Sequence, residues 1–399
     1  YQIANMFNET IQVSKNERKA LVDLYVEEVK KYTPNFKDEK LRIFIPACRE
    51  TTVMQYISKN IAKAFKKYNN DYEIEFYMQD TEMQTCQDML PFFHAINEFK
   101  PHITININHY NNTFLNDSII NIVWFQDRMP AIVNDSDIKI RDNDYTFHLT
   151  SMLNRTLEKK GINSLYQPFC LDEITYQERD DIQRKKKIVF VGSSYKDRIE
   201  EIKDDEDFNI IYDDMLTLFK EKGCLTSIAS EQSDIKYFTN KYKKPASFID
   251  EIYAYIGRDY CVEYICQLDT NYEIEIYGYG WENNKIVSPY FKGILNHGKE
   301  ISKIYNSADY GYCPGGYVLM QRTLECAFSG AIPLISEVRA DKEDEYDLGI
   351  EESLQFFTIN TLEKILTEDK KKCKFDLIRD QYSYKSFVEK IIKIIKMKV

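Results

Sequence analysis

Short apolar runs, each too short to be a helix and each separated from the next by a helix-period stretch, recur along this chain and restrict its fold more than any other feature. The first series is Leu41–Pro46 (LRIFIP), Tyr72–Met78, His102–Ile107, Ile119–Phe125 (IINIVWF), Tyr145–Leu149 and Asn163–Tyr166. The second is Ile188–Val191, Glu273–Tyr277, Tyr310–Cys313, Ala331–Ile335 and Leu354–Ile359. Near-continuous apolar runs of this length read as strands buried on both faces, and strands that alternate with helices build βαβ units around a mostly parallel sheet. The pattern predicts an α/β chain with two Rossmann-like halves, residues 41–183 and 184–383, the second carrying a helical insertion at about 199–270. A helical segment at 1–40, with Leu21, Leu24, Tyr25 and Val29 as its apolar stripe and Pro34 at its end, precedes them and reads as a packing or oligomer element. An amphipathic helix at 384–399 follows, with Phe387, Ile391, Ile392 and Ile395 inward. The charged stretch Tyr176–Lys187, ending in Arg184 and Lys185–Lys187, reads as a solvated linker, with a basic ligand patch as the alternative.

Charge and cysteine content remove several classes of function. A net charge of −11 argues against a general nucleic-acid binder, which needs a basic face, but leaves room for a local basic pocket around one diphosphate. The nine cysteines form no CxxC pair and fit reduced thiols in a cytosol. Five scattered histidines spell no zinc site. No apolar run reaches the roughly twenty residues of a membrane span, and no signal-peptide core is present. The chain opens at Tyr1 rather than Met, as an excised segment does. Three DxD strings, Asp135–Asp137, Asp142–Asp144 and Asp205–Asp207, lie in acidic stretches and read as solvated loops, so no essential metal is expected.

Tyr310–Ile335 carries the most chemistry. It reads as strand, glycine loop (Pro314, Gly315, Gly316), a helix over Val318–Phe328, and strand. A glycine loop that opens a helix offers backbone N–H groups to an anion. Arg322 adds a bidentate phosphate ligand, and Glu325, one turn on, is suited to two ribose hydroxyls. The other reading is an exposed salt bridge on an ordinary βαβ unit. Gly192, Ser193 and Ser194 repeat the strand–loop–helix geometry after Ile188–Val191, with Arg198 on the next helix.

Two Rossmann-like halves and a terminal helix are the outline of a GT-B glycosyltransferase, whose domains face each other across a cleft. The C-terminal half resembles the CgeB-like glycosyltransferases of family 1/4 type, the spore-maturation or YkvP-like group. The resemblance rests on Val189–Gly192 with Arg198, Tyr277–Trp281 (YGYGW), Tyr290–Gly293 (YFKG), Ile304–Asp309 (IYNSAD), Arg322–Glu325 (RTLE) and Gly330-Ala331, in that order over about residues 187–340. The N-terminal half agrees chiefly at Val123–Asp127 (VWFQD). The resemblance implies a nucleotide-sugar donor, UDP-sugar by default, in the C-terminal half and an acceptor in the N-terminal half. The acceptor would be a protein, a glycan or a lipid-linked sugar. In the wider retaining group the helix region carries two glutamates; Glu325 falls on the ribose-binding one, and Tyr317 stands where the donor-sugar one would be.

Glycosyl transfer needs stabilisation of a leaving diphosphate and a base for the acceptor hydroxyl. Gly192–Ser194, Arg198, Gly315, Gly316 and Arg322 would meet the diphosphate without a metal or other cofactor. Tyr279, Trp281 and His297 follow strands of the donor half and are placed near base or donor, with core packing as the other reading for Trp281. The base would come from His109 or Asp127, each just past a strand of the N-terminal half, with Glu50 a weaker candidate. Two other functions fit the same outline: a nucleotide-sugar epimerase, and a non-catalytic module that binds glycan or a partner protein.

Overall fold

The computed structural model describes residues 2–38, 40–47, 52–68, 71–79, 89–133, 138–226, 233–315, 320–338, 355–368 and 379–398. The chain forms two compact units, Tyr1–Cys170 with Gln381–Val399, and Leu171–Asp380. The passage between them comes before the 183/184 boundary read from the sequence. Each unit is an α/β layer structure around one parallel sheet, as the alternation of runs requires.

The first unit holds β1 (Leu41–Ala47), β2 (Tyr72–Met78), β3 (Ile103–Ile107), β4 (Ile120–Phe125), β5 (Asp144–His148) and β6 (Ser164–Tyr166). They lie in the order β2-β1-β3-β4-β5-β6, every pair parallel. All residues of β3 and β4 are buried, which is why these strands read as unbroken apolar runs. One face packs on helix Thr52–Tyr68 and on the last helix, Tyr384–Lys398. Phe387 lies with its ring 4.9 Å from Trp124 and 5.3 Å from Phe147, so the last helix is part of this unit's core. The other face takes Val29 of helix Gln2–Lys31 and Phe92, Phe93 and Ile96 of helix Leu90–Phe99. Of the stripe expected on the first helix, Tyr25 and Val29 pack inward with Val22 and Val26, whereas Leu21 and Leu24 are 43% and 51% exposed. The inward face is rotated from the one the sequence suggested.

The second unit holds β7 (Lys185–Val191), β8 (Glu273–Tyr277), β9 (Ala308–Cys313), β10 (Ile332–Ser336) and β11 (Gln355–Phe357), in the order β11-β10-β9-β7-β8 and again all parallel. Between β7 and β8 the regular elements among the described residues are all helices. The charged stretch before β7 is a solvated linker in part: residues 177–181 are exposed, but both ends of the stretch are tied into the fold. Lys185–Lys187 begin the strand, and buried Lys187 donates to Glu275 of β8 at 2.5 Å. Arg184 donates to the Gly330 carbonyl and, at 3.1 Å, to Glu178. No described helix is long and apolar enough to cross a membrane.

In both units strand order reverses between the first and third strands, between β1 and β3 and between β7 and β9. Parallel sheets of this kind bind ligands at the carboxyl ends of the strands flanking that reversal. The residues just past β3, β7 and β9 are therefore the places to look.

Candidate functional site

In the second unit, helix Gln321–Phe328 follows β9 and buries six consecutive residues, Thr323 to Phe328. Glu325 is 1% exposed, yet it carries charge. Arg322, one turn earlier and about a third exposed at its side chain, donates Nη1 to Oε2. His297 Nε2 lies 3.2 Å from Oε1. The Tyr176 hydroxyl, itself buried, bonds the same carboxylate and lies 3.5 Å from His297 Nε2. Burial pushes the Glu325 carboxyl up, but Arg322 and the His297 and Tyr176 hydrogen bonds outweigh it and hold the group below the ordinary glutamate range. Burial and the neighbouring Glu325 push the Tyr176 phenol well above its usual value, so it stays a neutral donor. Tyr176 is a site residue that the sequence does not reveal, because it lies in the stretch that reads as linker. With both oxygens of Glu325 engaged inside the protein, a ribose hydroxyl joins this cluster only by sharing the carboxylate with these partners.

The loop after β7 is built differently from a phosphate cradle. Its amides are largely spent inside the fold: Gly192 N donates to Tyr277 O (2.9 Å), Ser194 N to Tyr279 O (2.9 Å), Tyr195 N to Asp259 Oδ1 (2.8 Å) and Lys196 N to Ser194 Oγ (3.0 Å). Ser194 Oγ donates to Asp259 Oδ2. A carboxylate thus already occupies the place where the sequence put a phosphate. Arg198 is likewise spoken for, with Nε and Nη2 on the two oxygens of Glu251. Trp281 is fully buried, donates Nε1 to Gly192 O at 2.7 Å and meets Phe190 edge-on, so it braces this loop from the core and offers no face to a donor. Tyr279 is 64% exposed. Gly315 has φ +74° and donates its N–H to Ser336 Oγ at 3.1 Å. Gly316 and Tyr317 lie outside the described residues.

Asp259 is 2% exposed, and burial raises its carboxyl to about 6 despite the bonds from Ser194 and Tyr195. The folded chain therefore holds this proton more tightly than the unfolded one, whose aspartates titrate near about 3.9. Stability tied to this group falls as pH rises from about 4 to 6 and stays lower above that. Asp259→Asn is expected to gain about 1–3 kcal/mol on wild type between pH 4.5 and 7.5, read from urea midpoints at the two values. A difference that does not move with pH would contradict this.

In the first unit, Asp127 stands exposed just past β4 and is gripped by Asn108, just past β3. Asn108 is buried, adopts φ +64°, and donates Nδ2 to Asp127 Oδ2 at 2.8 Å. Its Oδ1 accepts from the amides of Gln126 (2.7 Å) and Asp127 (3.2 Å). Asparagine tolerates this left-handed backbone better than most residues. His109 is exposed beside it, flanked by buried Tyr110, whose hydroxyl lies 2.8 Å from Thr146 Oγ1. Asn108 is the residue that sequence reasoning missed here; one asparagine in an asparagine-rich stretch gives no signal beyond its place after a strand. Glu50 lies outside the described residues.

Among the described residues no three His, Cys, Asp or Glu side chains converge as a metal site. Asp144 accepts from Arg141, Asn112 and Asn121, and Asp205 is paired with Lys244, which also meets Asp207. Asp135 and Asp137 fall outside the described residues.

No family model and no curated protein matches the chain. Solved structures resemble it at low identity. A glycosyltransferase involved in avilamycin A biosynthesis shares 9% identity, with 90% of this chain and 98% of that chain covered and a TM-score of 0.48. A mutant of the Thermobaculum terrenum O-GlcNAc transferase shares 10%, with 96% and 73% covered and a TM-score of 0.47. The UDP-GlcNAc 2-epimerase of Methanocaldococcus jannaschii shares 11%, with 90% and 99% covered and a TM-score of 0.40.

Proposed function

We propose that this chain is a glycosyltransferase that moves a sugar from a nucleoside-diphosphate donor, held by the second unit, to a hydroxyl acceptor activated by the first. The observation that carries the reading is the buried Glu325 with Arg322, His297 and Tyr176 on the helix side of the β9 end. An ionised carboxylate is kept out of water only at considerable cost, and here an arginine of its own helix and residues from two further segments hold it. A charged, hydrogen-bonded group at the reversal of a parallel sheet suits ribose hydroxyls, with Arg322 beside it to meet phosphate charge. Departure of the diphosphate would be helped by the Arg322 guanidinium, a fixed charge already in place. In the first unit Asp127 is fixed by Asn108 as a base for the acceptor hydroxyl. The buried Gln126 amide beside it has an Nε2 without a hydrogen-bond partner among the described residues, a donor suited to an incoming hydroxyl oxygen.

Incubation with UDP-, GDP- and dTDP-sugars, UDP first, tests this by release of the nucleoside diphosphate and by the fate of the sugar. Transfer to an acceptor, or slow hydrolysis in its absence, is expected; free epimerised sugar from donor alone would replace transfer by epimerisation. Asp127→Asn is expected to lower turnover by about a hundredfold or more with nucleotide affinity unchanged, since general-base catalysis supplies about 10²–10⁴. Unchanged turnover would remove Asp127 as the base.

A further inference from the structure

Helix Ala246–Tyr255 does not continue smoothly into helix Cys261–Gln267; a single π turn, Ile256–Tyr260 (IGRDY), joins them. Such turns are rare and gather at functional sites because the extra residue redirects side chains. Here the turn aims two neighbours at the loop after β7. Asp259 takes Ser194 and Tyr195, and Arg258 sends Nη1 toward Ser193 O at 3.4 Å while its guanidinium lies 3.8 Å above the Tyr195 ring. The turn comes close to the loop after β9 at Gly315. A Cβ on Gly257 would stand 3.8 Å from Gly315 Cα, and one on Gly315 only 3.2 Å from Gly257 O.

We infer that Arg258 is a phosphate-binding residue of the second unit, placed by the π turn at the reversal between β7 and β9. The inference deepens the nucleotide-donor reading and rests on it for the identity of the ligand, a nucleoside diphosphate. Charge balance carries it. Arg198 is neutralised by Glu251 and Arg322 by Glu325, whereas Arg258 makes no ion pair among the described residues. Among the described residues its one hydrogen bond is long, and its buried Nε has no partner. Burial weakens its hold on the proton, Tyr195 and the neighbouring Asp259 work against that, and Arg198 and Arg322 add repulsion. A partly buried guanidinium that no carboxylate among the described residues meets in an ion pair has donors to spare for an anion, and a planar fork of donors matches a phosphate oxyanion. The tyrosine face fixes the orientation of that fork before any ligand arrives.

Calorimetry on the whole chain tests this, with inorganic pyrophosphate and with UDP, GDP and dTDP as probes. Wild type is expected to bind pyrophosphate and one of the nucleotides. Arg258→Gln is expected to weaken both by roughly tenfold to a hundredfold, with Arg258→Lys between the two. Lys244→Gln, which removes a charge clamped by Asp205 and Asp207, serves as the charge-matched control and is expected to bind as wild type. Thermal melting of each variant establishes folding, and Arg258→Lys keeps the test open should the glutamine variant not fold. Wild-type affinity in both Arg258 variants overturns the inference, as does a wild type that binds neither pyrophosphate nor any nucleotide. Pyrophosphate bound through Arg258 with no nucleotide bound would uphold the inference and defeat the donor reading. Nucleotide bound tightly and indifferent to Arg258 would do the reverse.

Discussion

Glu325→Ala is expected to weaken nucleotide affinity by about 1–3 kcal/mol, the value of hydrogen bonds to a charged group, and to destabilise the second unit by about 2–4 kcal/mol, as loss of one partner of a buried pair does. The substitution leaves Arg322 half-buried without its carboxylate and takes from His297 and Tyr176 the group they bond. The full cost of an orphaned buried charge is not reached, because about a third of the Arg322 side chain is in solvent. Glu325→Gln separates the two effects in part: it keeps one acceptor oxygen, for His297, and loses the charge together with the acceptor that Arg322 uses. The pH behaviour is fixed by sign. A carboxyl held below its ordinary value stabilises the fold above the unfolded pKa, about 4.3 for glutamate, and loses that contribution as pH falls through the folded value. Urea unfolding and calorimetry check both arms, and a folded alanine variant with wild-type nucleotide affinity would refute the binding role.

The second large effect is expected at Gly278. Its φ is +134°, and a Cβ there would lie 2.1 Å from Gly192 O and 2.5 Å from Gly192 C, both backbone atoms with no rotamer to yield. The same carbonyl accepts from Trp281, which is fully buried. Gly278→Ala therefore has to displace the Gly192–Ser194 loop and the core beneath it together. Backbone strain and overpacking of this kind cost about 3–5 kcal/mol. A thermal midpoint within a degree or so of wild type would mean the two loops are not locked as described.

The strands were readable because parallel strands are buried on both faces, so β3, β4 and β7 stand out as apolar runs without any knowledge of their neighbours. The partners of charged residues were not readable. Lys187 looks like the end of a basic linker until Glu275, far along the chain, is seen beside it. Arg198 looks like a phosphate ligand until Glu251 is found on its fork. The Gly192–Ser194 loop has the composition of a phosphate cradle, but the carboxylate that fills it comes from Asp259 on a helix of the insertion. Arg258 and Asp259 are invisible for a further reason: a π turn is set by how a helix packs, not by the residues that form it. Glu325 was legible as a carboxylate one turn after an arginine, while its burial and the reach of Tyr176 and His297 were not.

The central claim is that the second unit binds a nucleoside diphosphate through the Glu325 cluster. Calorimetric titration of the folded wild-type chain with UDP, GDP, dTDP and ADP tests it most directly. Saturable binding of one of them, weakened in Glu325→Gln, is the predicted result; no binding of any by the folded protein would contradict it.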